Sequence, residues 1–417
     1  MRRLLLLFVV LLAGCATERE AVHPASADLA LVGCKVYPSP TEPPIADATI
    51  LVRASRIAEV GLRSEVHVPA GTQAIDCAGG VVTAGFWNSH VHIMTPPLMD
   101  AEHQPSERIA AELEAMLTKW GFTTVFDIAS SWSNVQVIRR RIASGEIVGP
   151  RILTVGDPFF PEGGTPVYVK DFFAKYRLPS DEVKSPEEAA ERARRELKEG
   201  ADGVKIFAAS FGFRRIVPMP RPIARAVVAE AHRAGKPAFA HPSNLEGLEV
   251  ALDSGVDVLA HPAPQAGPWG PALLGRMKAA HMALTPTLTL FDVDARREGL
   301  PPDVSRKLMD DAVAQVHAFA ASGGEILFGT DVGYTDAYDT EEEYRLMARA
   351  GMDYRAILAS LTTNPARRFG DAGRRGRVAA GEEADLVVLA GDPALDVTAF
   401  SRVRYTIRAG RTIHSSR

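Results

Sequence analysis

Residues 239–262 read FAHPSNLEGLEVALDSGVDVLAHP. The tetrapeptides Phe239-Ala-His-Pro and Leu259-Ala-His-Pro stand twenty residues apart, each closing an apolar run and each followed by a helix-like stretch. Two successive strand–helix units therefore deliver His241 and His261 to the same edge. In a (β/α)₈ barrel, residues at the carboxyl ends of the strands converge on one mouth. A doubly wound open sheet also alternates strands with helices, and alternation alone does not separate the two.

The same alternation extends in both directions from this pair. Strand-like runs are expected at Phe86–Ile93, Thr123–Ala129, Arg151–Val155, Gly203–Ala208, Pro237–His241, Asp257–His261, Ala283–Leu288 and Glu325–Asp331. Helix-like stretches separate them. Ser185 to Glu199 opens on Ser-Pro-Glu-Glu, a capping serine followed by proline at the first helical position. Eight such strands are the number a (β/α)₈ TIM-like barrel requires.

The chain ends read differently. Leu29-Ala-Leu-Val-Gly-Cys, Ala48-Thr-Ile-Leu-Val, Arg56-Ile-Ala-Glu-Val and Gln73-Ala-Ile-Asp-Cys are short apolar strands separated by turn residues. Ala384-Asp-Leu-Val-Val-Leu and the run from Arg404 to Ile413 resemble them. A few strands need a partner surface, so the expectation is one small β-sandwich formed from both ends. This gives residues 28–84 plus 370–417 as the composite β-sandwich and 85–369 as the barrel. Cys34 and Cys77 fall in these strands, where either a disulfide or two small buried residues would fit.

With 417 residues and 46% hydrophobic content, a barrel with insertions can bury a large core. The net charge of -4 carries no basic bias, which argues against nucleic acid as a partner. The first residues are more specific. Arg2 and Arg3 precede an apolar run from Leu4 to Leu12, and Leu-Ala-Gly-Cys closes it at Cys15. That run is too short to span a bilayer, which takes about 20 residues, so it reads as a secretion signal. Its end resembles the lipobox of bacterial lipoproteins, which implies lipidation of Cys15 as the mature N-terminus. Ala16 follows where retention at the inner membrane would favour Asp, so the outer membrane or periplasmic face is expected. Residues 1–15 are then the signal peptide and 16–27 a flexible tether, with membrane attachment only through the N-terminal lipid.

Candidate chemistry sits at the strand ends. In Asn88-Ser-His-Val-His-Ile, His90 and His92 are two apart in a strand and point to one face. They close the first strand of the array. Lys205 lies on the fourth strand, His241 and His261 end the fifth and sixth, and Asp331 ends the eighth in Leu327-Phe-Gly-Thr-Asp. Each alone fits a structural role. Together, at the strand ends of one array, they point to a metal, and imidazole with carboxylate suits zinc and related divalent ions. An unpaired buried ammonium at Lys205 would be costly without such a role.

This ordered set, with Val82-Thr-Ala-Gly-Phe-Trp-Asn-Ser-His-Val-His, Glu230-Ala-His-Arg-Ala-Gly-Lys-Pro, Gly255-Val-Asp-Val-Leu-Ala-His, Gly329-Thr-Asp, Leu361-Thr-Thr-Asn-Pro-Ala and Gly381-Glu-Glu-Ala-Asp-Leu-Val-Val-Leu, resembles the amidohydrolase superfamily. It is most similar to the branch with imidazolonepropionases and metal-dependent prolidases, and the resemblance runs from residue 28 onward. It implies a first ion on His90, His92 and Asp331, a second on His241 and His261, and carbamylated Lys205 bridging them. One-metal members of the family bring His241 to the first ion and leave His261 to orient substrate or water.

The implied activity is hydrolysis of amide-type C–N bonds, in dipeptides or N-acyl amino acids, by a metal-activated hydroxide. Asp331 is the expected base and then acid. Esterase, lactonase, organophosphate hydrolase or imidazolone-like ring opening on the same metals is the alternative, and a non-catalytic barrel lipoprotein the alternative of another class. The partner is a small-molecule substrate, and the sequence leaves room for a homo-oligomer. His23, His67, His103, His232, His281, His317 and His414 receive no ligand role. Asp127 and Asp157 are read as structural, and Arg214 and Arg215 as solvated loop charges rather than anchors for a substrate carboxylate.

Overall fold

The computed structural model describes residues 28–416 except 78 and 212–214. The expected leader, Cys15 and the tether lie outside the described residues, as does Arg214.

All eight strands of the expected array form. Phe86–Val91, Phe122–Asp127 and Arg151–Thr154 make one parallel sheet. Val204–Phe207, Ala238–His241, Val258–Ala260, Ala283–Thr285 and Glu325–Ile326 make a second parallel sheet. The two sheets are joined at both edges. A parallel bridge links Phe159 to Ile206 and another links Val91 to Val332, with Phe159 N–H donating to the Lys205 carbonyl and His92 N–H to the Val332 carbonyl, each at 2.8 Å. The array is thus a ring of hydrogen-bonded neighbours. Its strands follow one another in sequence order, without the order reversal of a doubly wound sheet. Phe126, Phe239, Val258, Ala283 and Leu327, from five of these segments, pack into one buried cluster.

Helices connect the strands as their local chemistry dictates. Ser185 Oγ accepts from Glu188 N–H and Pro186 takes the first position of the helix Pro186–Lys198. After His241, Asn244 Oδ1 accepts from Gly247 N–H at 2.9 Å and starts the helix Leu245–Ser254. Gly247 is required there, since a Cβ would stand 1.9 Å from the Pro242 carbonyl oxygen.

Both chain ends do come together, but not as two stacked sheets. They form one continuous eight-stranded mixed sheet, in which Val81–Ala84 lies between Leu29–Val36 on one side and Leu386–Leu389 on the other. The hydrogen-bond ladder runs unbroken from Arg411–Ser415 to Arg56–Leu62, so the expected sandwich of separate sheets is corrected to a single sheet. Cys34 and Cys77 are both buried and free, not disulfide-bonded.

Candidate active site

Strand periodicity sets the first pair. His90 and His92 close the strand Phe86–Val91 and both turn into a cavity of about 980 Å³ at the carboxyl rim of the ring. Asn88 lies on the same side, and its amide donates to Thr330 Oγ1 at 2.8 Å, tying this strand to the segment that carries Asp331. Asp331 N–H in turn donates to the His90 carbonyl at 2.9 Å. His92 Nδ1 lies 2.8 Å from the Ala129 carbonyl oxygen. A carbonyl only accepts, so Nδ1 carries the proton and the Nε2 lone pair faces Asp331 Oδ1 at 2.7 Å.

His90 Nε2 lies 3.2 Å from the same Asp331 oxygen. One ligand atom from each of His90, His92 and Asp331 falls within a 4.8 Å sphere of the others. Both ring nitrogens of His90 and Oδ1 of Asp331 are buried without a hydrogen-bond partner. Orphaned buried polar atoms of this kind cost about 1–3 kcal/mol each, and His90 Nε2 with Asp331 Oδ1, beside a ligand atom of His92, fits a divalent cation.

The remaining residues border the same cavity. The rings of His90 and His261 are 4.5 Å apart and those of His261 and His241 4.9 Å, and His261 Nε2 is 3.7 Å from Asp331 Oδ2. Lys205 lines the cavity with its ammonium 5.4 Å from the Phe207 ring centre. His261 and Asp331 hold positive backbone φ angles of 80° and 60°, a left-handed conformation that costs a non-glycine residue about 1–3 kcal/mol and recurs where side chains are aimed for function.

Burial governs the electrostatics. It lowers His90 to about 4 and His241 to about 3, and holds His261 well below the ordinary imidazole value. The imidazoles are therefore neutral, the form that binds metals. Lys205 is pushed down to about 7 by burial, against the opposing pull of Asp331 and Asp127.

The other residues singled out from sequence fall away from this cluster. Asp127 accepts from Ser130, from Thr154 Oγ1 at 2.7 Å and from Ile93 N–H at 3.3 Å, a structural set. Asp157 accepts from Trp132 N–H at 2.8 Å and borders the cavity. Arg215 is exposed. His103 pairs with Asp100, His232 with Asp257, His414 with Glu114, and His317 with the Ala350 carbonyl. Sequence reasoning missed Asp294 and Arg297, on the helix Thr289–Arg297, which border the cavity. Nothing in their helical surroundings distinguishes them from solvent-facing charges.

With this geometry in place, the comparisons assign the class. Residues 81–413 match the amidohydrolase family, so the chain belongs to that family, and it is a hydrolytic enzyme. Among solved structures, a candidate prolidase from Bifidobacterium longum is 25% identical, with a TM-score of 0.77 over 93% of this chain and 96% of that one. A Xaa-Pro dipeptidase with bound methionine in its active site is 22% identical (TM-score 0.78, over 93% of this chain and 100% of that one). Molinate hydrolase is 21% identical with a TM-score of 0.72, over 93% and 95% of the two chains. No curated protein matches the chain significantly.

Proposed function

We propose that this enzyme hydrolyses an amide-type C–N bond in a dipeptide or N-acyl amino acid, with one or two divalent ions, of which zinc is the first candidate. The observation that carries this reading is the convergence of His90, His92 and Asp331, with buried atoms left unpartnered, beside His241, His261 and Lys205 in one cavity. The 25% identity to a candidate prolidase agrees with it.

His90, His92 and Asp331 would hold the first ion. His241 and His261 would hold a second, bridged by a carbamate on Lys205. An amine lowered to about 7 is largely neutral at mildly alkaline pH, the form that adds carbon dioxide. A bound divalent ion acidifies water and polarises a carbonyl. Asp331 takes the proton of the attacking water and delivers it to the departing nitrogen. Water adds across the C–N bond, and a carboxylate and an amine leave. Arg297, which also lines the cavity, is the candidate anchor for a substrate carboxylate.

The ring of parallel strands is read as a (β/α)₈ barrel over residues 85–369, joined to a second unit of residues 28–84 and 370–417. Residues 1–15 are read as a lipoprotein signal and Cys15 as its lipidation site, on the strength of Arg2, Arg3, the Leu4–Leu12 run and the closing Leu-Ala-Gly-Cys. Among the described residues, no helix is long and apolar enough to cross a membrane.

The test is a panel of dipeptides and N-acyl amino acids offered to zinc-loaded protein, with Asp331→Ala alongside. Hydrolysis by the parent and a fall in kcat of about 10²- to 10⁴-fold in the variant are expected. Cleavage of esters or lactones alone, with no amide turned over, would move the reading to the ester branch.

A further inference from the structure

The cavity is far larger than the metal-facing cluster requires. At about 980 Å³ it lies near the top of the range that encloses drug-sized ligands, about 300–1,000 Å³. On one side, an aromatic stack runs outward from the site. The His241 ring lies 5.0 Å from Phe207, at an interplanar angle of 26°, and Phe207 lies 4.1 Å from Phe160, at 23°. The helix Val167–Tyr176 adds Phe172 and Phe173 to the lining of the same cavity, followed by Leu178.

That helix is unusual within this protein. It is rich in apolar residues, yet none of its described residues is fully buried, whereas among the described residues each other α-helix buries at least one side chain. Phe172 and Phe173 are half-buried and border the cavity, so apolar surface is left facing an enclosed space. The carboxyl groups nearest this side are muted. Burial raises Asp157, and burial with Asp157 as neighbour raises Asp181 to about 8. Charge enters the lining with Asp294, Arg297 and Glu298, from the helix Thr289–Arg297 and the residue after it.

We propose that Phe207, Phe160 and the helix carrying Phe172 and Phe173 form a subsite for a bulky apolar group attached to the scissile amide. The substrate class is then an N-acyl amino acid or dipeptide with an aromatic substituent on one side of the bond, rather than a small aliphatic one. The stacked Phe207 and Phe160 rings make a rigid apolar wall, and the half-buried Phe172 and Phe173 supply the apolar area that a ligand would cover. This inference rests on the amide-hydrolase reading above for its chemistry, but not for the binding it asserts.

The experiment separates the two. Zinc-loaded protein is assayed with N-acetyl-L-alanine, N-(2-naphthoyl)-L-alanine and N-acetyl-L-(2-naphthyl)alanine, and titrated with 2-naphthamide as a neutral probe. At least one naphthyl substrate should exceed N-acetyl-L-alanine in kcat/KM by about 100-fold. Phe172→Ala and Phe173→Ala lie on a partly exposed helix and should fold; each should cut that ratio and weaken 2-naphthamide binding by about 10-fold. Phe160→Ala, in the buried stack, should do the same more strongly.

Equal kcat/KM for small and naphthyl substrates would overturn the subsite and leave the amide reading standing. No amide turnover, with 2-naphthamide binding that the phenylalanine variants weaken, would uphold the subsite and remove the amide reading. Probe binding that the variants leave unchanged would overturn the subsite whatever the turnover.

Discussion

Thr287 Oγ1 lies 2.5 Å from Nδ1 of His261 while standing 2.8 Å from the carbonyl oxygen of Pro286, to which it donates its proton. A hydroxyl has one proton, so the contact with His261 is one in which Nδ1–H donates and Oγ1 accepts. This fixes the His261 tautomer with its Nε2 lone pair toward Asp331. Thr287 is itself held at a φ of 45°, a conformation that a β-branched residue seldom adopts.

Thr287→Val should therefore lower kcat/KM by about 10- to 100-fold, the usual cost of losing a partner behind a metal-facing histidine. Thr287→Ser should keep most of the activity. Zinc content of both variants, measured by elemental analysis, should fall only in the valine protein. Unchanged kinetics and metal content in Thr287→Val would remove the positioning role.

Lys205→Ala tests the bridge. Two ions per chain in the parent and fewer in the variant are expected, since the bridging oxygens of a carbamate would be lost. One ion per chain in both proteins would instead favour the one-metal arrangement, with His241 on the first ion.

Glu343 supplies a pH dependence away from the metal-facing cluster. Its carboxylate accepts from Leu288 N–H and Thr289 N–H, each at 2.8 Å. Burial raises it from 4.5 to about 7, although the Thr289 and Leu288 hydrogen bonds oppose the rise. Between those values the folded protein keeps a proton that the unfolded chain has released. Stability contributed by this group therefore falls as pH rises from 4.5 to about 7, by about 3 kcal/mol. Urea denaturation at both ends of this window should show a smaller fall in Glu343→Gln than in the parent. Identical pH slopes in the two proteins would contradict the assignment.

Gly333 turns the chain immediately after Asp331. At a φ of 99°, its missing Cβ would stand 1.8 Å from the His92 carbonyl oxygen. Gly333→Ala should lower stability by about 1–3 kcal/mol and weaken zinc retention, because His92 must shift to make room. A variant with parental melting temperature and metal content would show that the segment relaxes without cost.

Much of the ring was legible because its signals are local. Each strand is a short apolar run, and His90, His92, Lys205, His241, His261 and Asp331 all fall at or near the ends of such runs. The rest depends on partners distant in sequence. From sequence, Val81–Ala84 falls in the terminal unit without an expected strand of its own, yet it is the joint between the two chain ends. Whether terminal strands stack or pair edge to edge is not written in their alternation. The segment from Phe160 to Leu178 carries no motif, and its meaning comes only from the cavity it borders. Arg297 is one of several helical arginines until the fold turns it toward the site.

The place of Val81–Ala84 also constrains how the molecule can assemble. Its neighbour Leu386–Leu389 lies some three hundred residues later in the chain, as does the carboxylate of Asp392 that pairs with Lys35. A nascent chain emerging from the ribosome carries this strand with one edge of backbone N–H and C=O groups unpaired until Leu386–Leu389 has been made, and such edges invite pairing with other chains. Contacts of this separation are slow to form. A truncation that removes Leu386–Leu389 would leave a long polypeptide with a permanently open seam, and its fate would be aggregation rather than a smaller working enzyme.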